Sequence, residues 1–183
     1  MLLAGLGMLG IPLLNIATPV LDFANFRLPD WMGWTGVGML AVAVALLWRA
    51  HLDLGNNCAI AVRILERHRL ITEGVYAHVR HPMYAAHWVW GLAQVLLLQN
   101  WLAGPAFLLT FYFFYRHRVA LEESMMAQQF GSMYREYESR TGRIFFKLPE
   151  LPALPKLPRL RRWRGREKWA RYNRKNRSSE PKS

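Results

Sequence analysis

Residues 74–101 read GVYAHVRHPMYAAHWVWGLAQVLLLQNW. From Pro82 to Leu98 there is no Lys, Arg, Asp or Glu, and a proline at the first position of a helix is well tolerated because its missing N–H would be unpaired there anyway. The stretch therefore predicts an apolar helix over Pro82–Leu98, close to the roughly 20 residues that cross a bilayer. Three more apolar blocks approach that length: Leu2–Leu21, Met32–Trp48 and Trp101–Tyr115. Pro12 and Pro19 interrupt the first, which is expected to be kinked or partly interfacial. Only Gln99-Asn100 separates the last two, which predicts a tight helical hairpin. The expected fold class is all-α: an integral membrane helical bundle with about four transmembrane helices, and a cytoplasmic cofactor-binding loop region between the second and third.

The chain has 183 residues, 52% of them apolar or aromatic, and a formal charge of +12. That charge is uneven. Residues 1–147 hold 12 Lys and Arg against 9 Asp and Glu, and residues 148–183 hold 12 against 3. Two parts follow: a membrane domain over 1–147, and a spacer with a basic cytoplasmic tail over 148–183. The spacer LPELPALPKLPR repeats an L-P-x unit, which blocks helix and favours an extended conformation. RLRRWRGREKWARYNRKNR follows it, with Trp163, Trp169 and Tyr172 among the cations. Such a cluster next to a membrane domain attracts anionic lipid headgroups; RNA or acidic proteins are the competing partners, and nucleic acid is not the expected one. The loop between the first two blocks carries only Arg27, whereas that between the second and third carries Arg49, Arg63, Arg67, Arg69 and Arg80. The excess of basic residues on cytoplasmic loops places both termini and the long central loop in the cytoplasm. No basic residue precedes the first apolar run and no small-x-small cleavage site follows it, so a removable signal peptide is not expected.

Cys58 is the single cysteine, which excludes an intrachain disulfide and a cysteine-rich metal centre. The six histidines show no paired-ligand spacing, and no metal is expected. The start of the Pro82 helix presents unpaired N–H groups and a positive dipole end, an anion site that Arg80 and His81 reinforce; the bland alternative is a charged helix end that snorkels to the interface. Tyr84, His87, Gly91 and Gln94 share one helical face, where polar groups at membrane depth either bond between helices or line a wet cavity. In RHRVALEES, residues 116–124, Arg118 and Glu122 lie four apart, the spacing of an ordinary helical ion pair or of an acid placed to bind a cationic ligand. The fourth helix is expected to continue past the membrane as far as Gly131, before SMYREYESRTGRIFF, residues 132–146, returns to the membrane face.

The ordered set GVYAHVRHPMY, RVALEE, FGSMYREY and GRIFF resembles the R-H-P-x-Y…E-E signature of the isoprenylcysteine carboxyl methyltransferase family and its phospholipid N-methyltransferase relatives. The resemblance spans about His51–Lys147. It implies S-adenosylmethionine as methyl donor at the cytoplasmic face and a lipid-like acceptor from the bilayer. Carried over by position, it implies cofactor contacts at His68, Arg69, Leu70, Ile71, Tyr76, His81, Pro82, Met83, Tyr84 and Glu122, with Arg118 orienting the acceptor carboxylate as the catalytic residue. Members often show Trp-Ser after the Gly-Asn turn, where this chain has Cys58-Ala59.

The expected function is S-adenosylmethionine-dependent methylation of a carboxylate on a lipid-like or prenylcysteine-like acceptor. Amine N-methylation is the alternative, with His81 or Glu123 as candidate base. A non-catalytic membrane anchor with a recruiting basic tail is the reading from another class.

Overall fold

A computed structural model describes residues 2–55 and 69–147. His68, the segment Ala59–Leu65 and the tail from residue 148 lie outside the described residues. Four helical segments appear in order: α1, Leu2–Ala17; α2, Asp30–Leu54; α3, Pro82–Leu98; and α4, Ala106–Arg140. Short 3-10 turns at Pro19–Ala24 and Gly74–Ala77 link them. All regular elements among the described residues are helical.

Each boundary has a local cause. In α1 a π turn occupies Leu6–Gly10 and an α turn restarts at Ile11, with Pro12 near its start, so the expected irregularity is a change of helix type. Helix α2 starts with Asp30 in its first turn and stops at Gly55, φ 51°, a conformation glycine adopts at no steric cost. It runs six residues beyond the expected Trp48, to Leu54, and Asp53 in that extension accepts a hydrogen bond from Val75 of the central loop. Helix α3 begins at Pro82 and ends at Gln99 in the left-handed region.

The expected fourth span, Trp101–Tyr115, is corrected at its start: residues 101–105 form a turn and α4 begins at Ala106. Asn100, fully buried, is the reason. Its side-chain carbonyl accepts the N–H groups of Leu102 and Ala103, both at 2.9 Å, and its amide donates to Leu21 O and Asn25 Oδ1. The hairpin tip is thus tied to the turn after α1. Past the expected fourth span, α4 bends at Gly131 (φ 52°, ψ −119°) and then continues in helical form, where the sequence had suggested only a polar return segment.

Packing relies on small residues. Gly36, Ala43 and Ala50, the buried residues of α2, recur every seven positions, and a Cβ on Gly36 would press on Leu96 and Leu97 of α3 at 3.0 Å. At Gly91 a Cβ would run into the Leu108 side chain, so α3 and α4 approach closely there. Gln94 donates to Gly7 O at 3.1 Å and Ala103 O at 2.9 Å, the interhelix bonding expected of a polar group at this depth. Outward faces are apolar: Leu9, Leu13, Trp31, Trp34, Val42, Trp48 and Leu109 are all exposed. An apolar patch this wide exceeds what a water-soluble monomer shows and suits a hydrocarbon surrounding. Among the described residues, α2 alone is long and apolar enough to cross a membrane by length and composition; the 17 residues of α3 reach about 25 Å against a core of roughly 30 Å.

Candidate active site

The site forms where α3 begins. Asp53, at the end of α2, accepts the Val75 N–H at 2.8 Å and pairs with Arg49 at 3.0 Å. Gly74 (φ 59°) packs so tightly on this carboxylate that a Cβ would overlap it. Tyr76 is thereby set under the loop, its hydroxyl donating to Ala50 O at 3.4 Å, and its carbonyl accepts the Tyr137 hydroxyl at 2.7 Å. From the far end of α4 the chain returns beside residues 79–81: Val79 and Gly142 form a parallel bridge, Arg80 N–H donates to Gly142 O at 2.8 Å, and His81 N–H donates to Arg143 O at 3.0 Å.

Glu123 is the hub of this junction. Its carboxylate meets Arg80 Nη2 at 3.2 Å, His81 Nε2 at 3.3 Å and Arg143 at 2.9 and 2.5 Å. Burial alone would raise its pKa, but hydrogen bonds from His81 and Arg143 outweigh that and pull it down to about 2. Arg80 also donates to Thr141 O at 2.6 Å and pairs with Glu138 at 3.3 Å. Its side chain is 8% exposed, and its Nε is buried with no hydrogen-bond partner.

His81 joins two groups of residues. On one side, its Nδ1 lies 3.9 Å from Glu122 Oε2, and Glu122 pairs with Arg118 Nε at 2.7 Å. Tyr84 stacks on the His81 ring with centroids 5.4 Å apart and reaches both Arg118 and Glu122. The Arg118 guanidinium sits over the Phe114 ring. On the other side is a cavity of about 120 Å³, lined by Arg69, Ile71, Tyr76, Arg80 and His81 together with Leu54, Met126, Gln129, Phe130, Tyr134 and Tyr137. Burial pushes the Tyr134 and Tyr137 phenols up to about 12, so both are neutral at physiological pH. Aromatic walls with cations at one side suit a ligand that carries a flat base and an anionic group. The volume is below the roughly 300 Å³ of a typical small-molecule site, room for only part of such a ligand.

Of the residues expected from sequence, Arg69, Ile71, Tyr76 and His81 come together at the cavity. Tyr84, Arg118 and Glu122 form the adjoining cluster. Pro82 is buried at the first turn of α3, whose start has no side-chain cap. Leu70 and Met83 are not among the lining residues; Met83 O instead accepts His87 Nδ1–H at 2.6 Å. Sequence reasoning missed Leu54, Met126, Gln129, Phe130, Tyr134 and Tyr137 as cavity residues and Glu123 as the hub, and gave Arg80 only as reinforcing the anion site at the helix start. The signal was present in part: Glu122, Met126, Gln129 and Phe130 follow the three- and four-residue spacing of one helical face.

Comparison with known proteins agrees with this geometry. The family model for the isoprenylcysteine carboxyl methyltransferase (ICMT) family matches residues 36–128, half of the chain. Protein-S-isoprenylcysteine O-methyltransferase B of Arabidopsis thaliana is 31% identical over 132 residues, covering 71% of this chain and 67% of that protein. Protein-S-isoprenylcysteine O-methyltransferase of Homo sapiens is 34% identical over 121 residues, covering 64% of this chain and 43% of the human protein. The chain thus spans less than half the length of the human relative. The solved structure of the eukaryotic intramembrane Ras methyltransferase ICMT superposes with a TM-score of 0.60 at 27% identity, covering 80% of this chain and 53% of that one. Like that intramembrane protein, this one is an integral membrane protein, and its regular elements among the described residues are helical. Helix order, the R-H-P-x-Y and E-E motifs brought into one junction, and the match over residues 36–128 make this chain a member of the isoprenylcysteine carboxyl methyltransferase family.

Proposed function

We propose that the protein is a membrane methyltransferase that uses S-adenosylmethionine to methylate the carboxylate of a lipid-like or prenylcysteine-like acceptor. The observation that carries this reading is the meeting at His81 of an aromatic, cation-edged cavity and the Arg118–Glu122 pair. One part suits a nucleoside cofactor and the other an anionic acceptor.

The residues present fit the cofactor. A buried Arg80 Nε without a partner is a donor left for an anionic group, since an orphaned buried donor costs about 1–3 kcal/mol. The uncapped start of α3 adds N–H groups and a positive dipole end. Tyr76, Phe130, Tyr134, Tyr137 and Ile71 would enclose the adenine, while Glu122 would take a cationic or hydroxyl portion. His68, Leu70 and Met83 remain in the proposed binding set on the family's motif alone. When bound, S-adenosylmethionine supplies the methyl group from its sulfonium.

The chain's own contribution is then positioning. A carboxylate acceptor is ionised at neutral pH, its reference pKa being near 4, so no general base is needed. Arg118 presents a planar fork that meets a carboxylate in two charge-assisted bonds, and Glu122 fixes its orientation through Nε. The aromatic cluster of Tyr84, Phe111, Phe114 and Tyr115 around this point excludes water. Amine methylation would require a proton acceptor, and Glu123, held near 2 by its cations, is a poor one. That leaves His81 as the other candidate base for an amine acceptor, whereas the carboxyl reading needs none.

The Lys and Arg asymmetry supports four spans, with both termini, the loop from Arg49 to Arg80 and the site on the cytoplasmic side. Residues 1–147 would form the catalytic membrane domain. The basic tail, 148–183, would lie against anionic headgroups. Titrating S-adenosylmethionine into nanodisc-embedded protein tests the cofactor reading: saturable binding by the intact chain and its loss in Glu122→Ala and His81→Ala are expected. No binding by the intact chain in any of several lipid compositions would remove the methyltransferase reading.

A further inference from the structure

The return segment, residues 141–147, does two things at once. Through Thr141 O, Gly142 O, Arg143 O and the Arg143 side chain it holds Arg80, His81 and Glu123 in register. It also turns two phenyl rings outward: Phe145 is 82% exposed and Phe146 71% exposed, with Phe146 edge-on to His78 at 5.8 Å. Exposed phenylalanines next to one another are unfavourable in water, each forfeiting about 1.5–3 kcal/mol of burial.

Their level in the fold says what covers them. Val79 and His81 pair with Gly142 and Arg143, and the apolar helix α3 starts at Pro82, one residue later. Phe145 and Phe146 therefore stand within a few residues of the plane where α3 enters the bilayer. Trp48 of α2, 69% exposed, lies just before Ala50, whose carbonyl meets Tyr76 in the same junction. Aromatic rings at the boundary between headgroups and acyl chains are the usual belt of a membrane protein. At the opposite end, Trp31, Trp34 and Trp101 are exposed in the same manner. Lys147 follows the two rings, and then 36 residues with 12 Lys and Arg against 3 Asp and Glu, which suit an anionic lipid surface.

We infer that Phe145 and Phe146 insert into the lipid interface and, through the paired segment behind them, clamp Arg80, His81 and Glu123 in their binding geometry, so that cofactor affinity depends on this anchorage. The inference rests on the methyltransferase reading for its functional half and on geometry alone for its membrane half. Anchored rings remove the freedom of residues 142–146 to peel away from residues 79–81. Without them residues 142–146 keep two backbone bonds and the Arg143–Glu123 pair, whose arginine is half exposed.

Two measurements on the full chain test it. In a Cys58→Ser background, Phe145→Cys carrying an environment-sensitive dye is placed in nanodiscs of phosphatidylcholine and phosphatidylglycerol. Quenching by lipids spin-labelled near the headgroup, with protection from aqueous iodide, is expected. A dye quenched by iodide and untouched by the lipids would overturn the inference. In parallel, S-adenosylmethionine affinity is measured for Phe145→Ser/Phe146→Ser and for Phe145→Trp/Phe146→Trp. The serine pair is expected to bind at least about fivefold more weakly, the low end of coupling between two sites, and the tryptophan pair to bind like the wild type. Equal affinity in the serine pair, or equal loss in both pairs, would overturn the coupling. If the wild type binds no cofactor, the methyltransferase reading fails by itself, and the dye still decides whether the rings are in lipid.

Discussion

Glu123 gathers Arg80 and His81 from the entry of α3 and Arg143 from the return segment, and its protonation should therefore be visible in stability. Its pKa falls from 4.5 to about 2 on folding. A depressed carboxyl contributes stability that is present above its unfolded pKa and lost as pH falls through its folded one. Glu123→Gln is expected to lower stability at neutral pH by about 1–2 kcal/mol, the worth of a hydrogen bond to a charged group discounted for partial exposure. The gap between the thermal midpoints of wild type and variant in detergent should close as pH falls from about 5 towards 2; a constant gap would mean that Glu123 is not the charged hub. For Arg118 the expectation differs. Arg118→Ala should keep cofactor affinity while turnover drops by about 10²-fold, the loss typical of a misplaced reactant, and parallel loss of binding and turnover would assign it to the cofactor instead. The Arg118–Glu122 pair was legible in the sequence because four-residue spacing fixes it. Arg80 was not, because a snorkelling arginine and a buried one look alike in sequence, and what buries Arg80 is a carbonyl supplied by Thr141, 61 positions away.

Among the elements, α4 carries most of what the sequence left unread. Helix formers up to Gly131 were visible, but the bend there and the helical continuation that brings Tyr134 and Tyr137 to the cavity were not. A glycine reads as a stop as readily as a bend. Gly131 has open space around it, so its requirement is purely conformational: φ 52° with ψ −119° is a region that other residues occupy at about 1–3 kcal/mol. Gly131→Ala is expected to shift Tyr134 and Tyr137 and weaken S-adenosylmethionine binding without unfolding the membrane helices, as circular dichroism beside a cofactor titration would show. Gly91 makes the opposite case, since its conformation is ordinary and its space is not. Gly91→Val would push into Leu108 of α4 and lower stability by about 1–3 kcal/mol, the usual result of overpacking; a thermal melt in detergent measures it. The hairpin tip shows why the fourth span was misjudged at its start. Trp101 and Leu102 are apolar, and it is hydrogen bonds that make that stretch a turn: those of the Asn100 side chain, with Trp101 N–H to Ala24 O and Gly104 N–H to Asn100 O.

The described helices bury small residues along α2 and α3 and aromatic residues, Phe107 and Phe111, along α4, and leave apolar side chains on their outer faces. The number and order of the apolar blocks, and so the all-helical membrane class, could be read from hydropathy because a bilayer demands long charge-free runs. The site could be read only through its motifs, since its residues converge from α2, the central loop, α3, α4 and the return segment, which no local pattern relates. The proposed chemistry joins these levels: a cavity for a nucleoside at the membrane face, and an arginine beside it for an acid arriving from lipid. Transfer of labelled methyl from S-adenosylmethionine to a small prenylated cysteine, by the full chain in nanodiscs, tests this most directly. The expected product is a base-labile methyl ester whose formation is lost in Arg118→Ala. A base-stable product, or no transfer by wild-type protein that binds the cofactor, would contradict it.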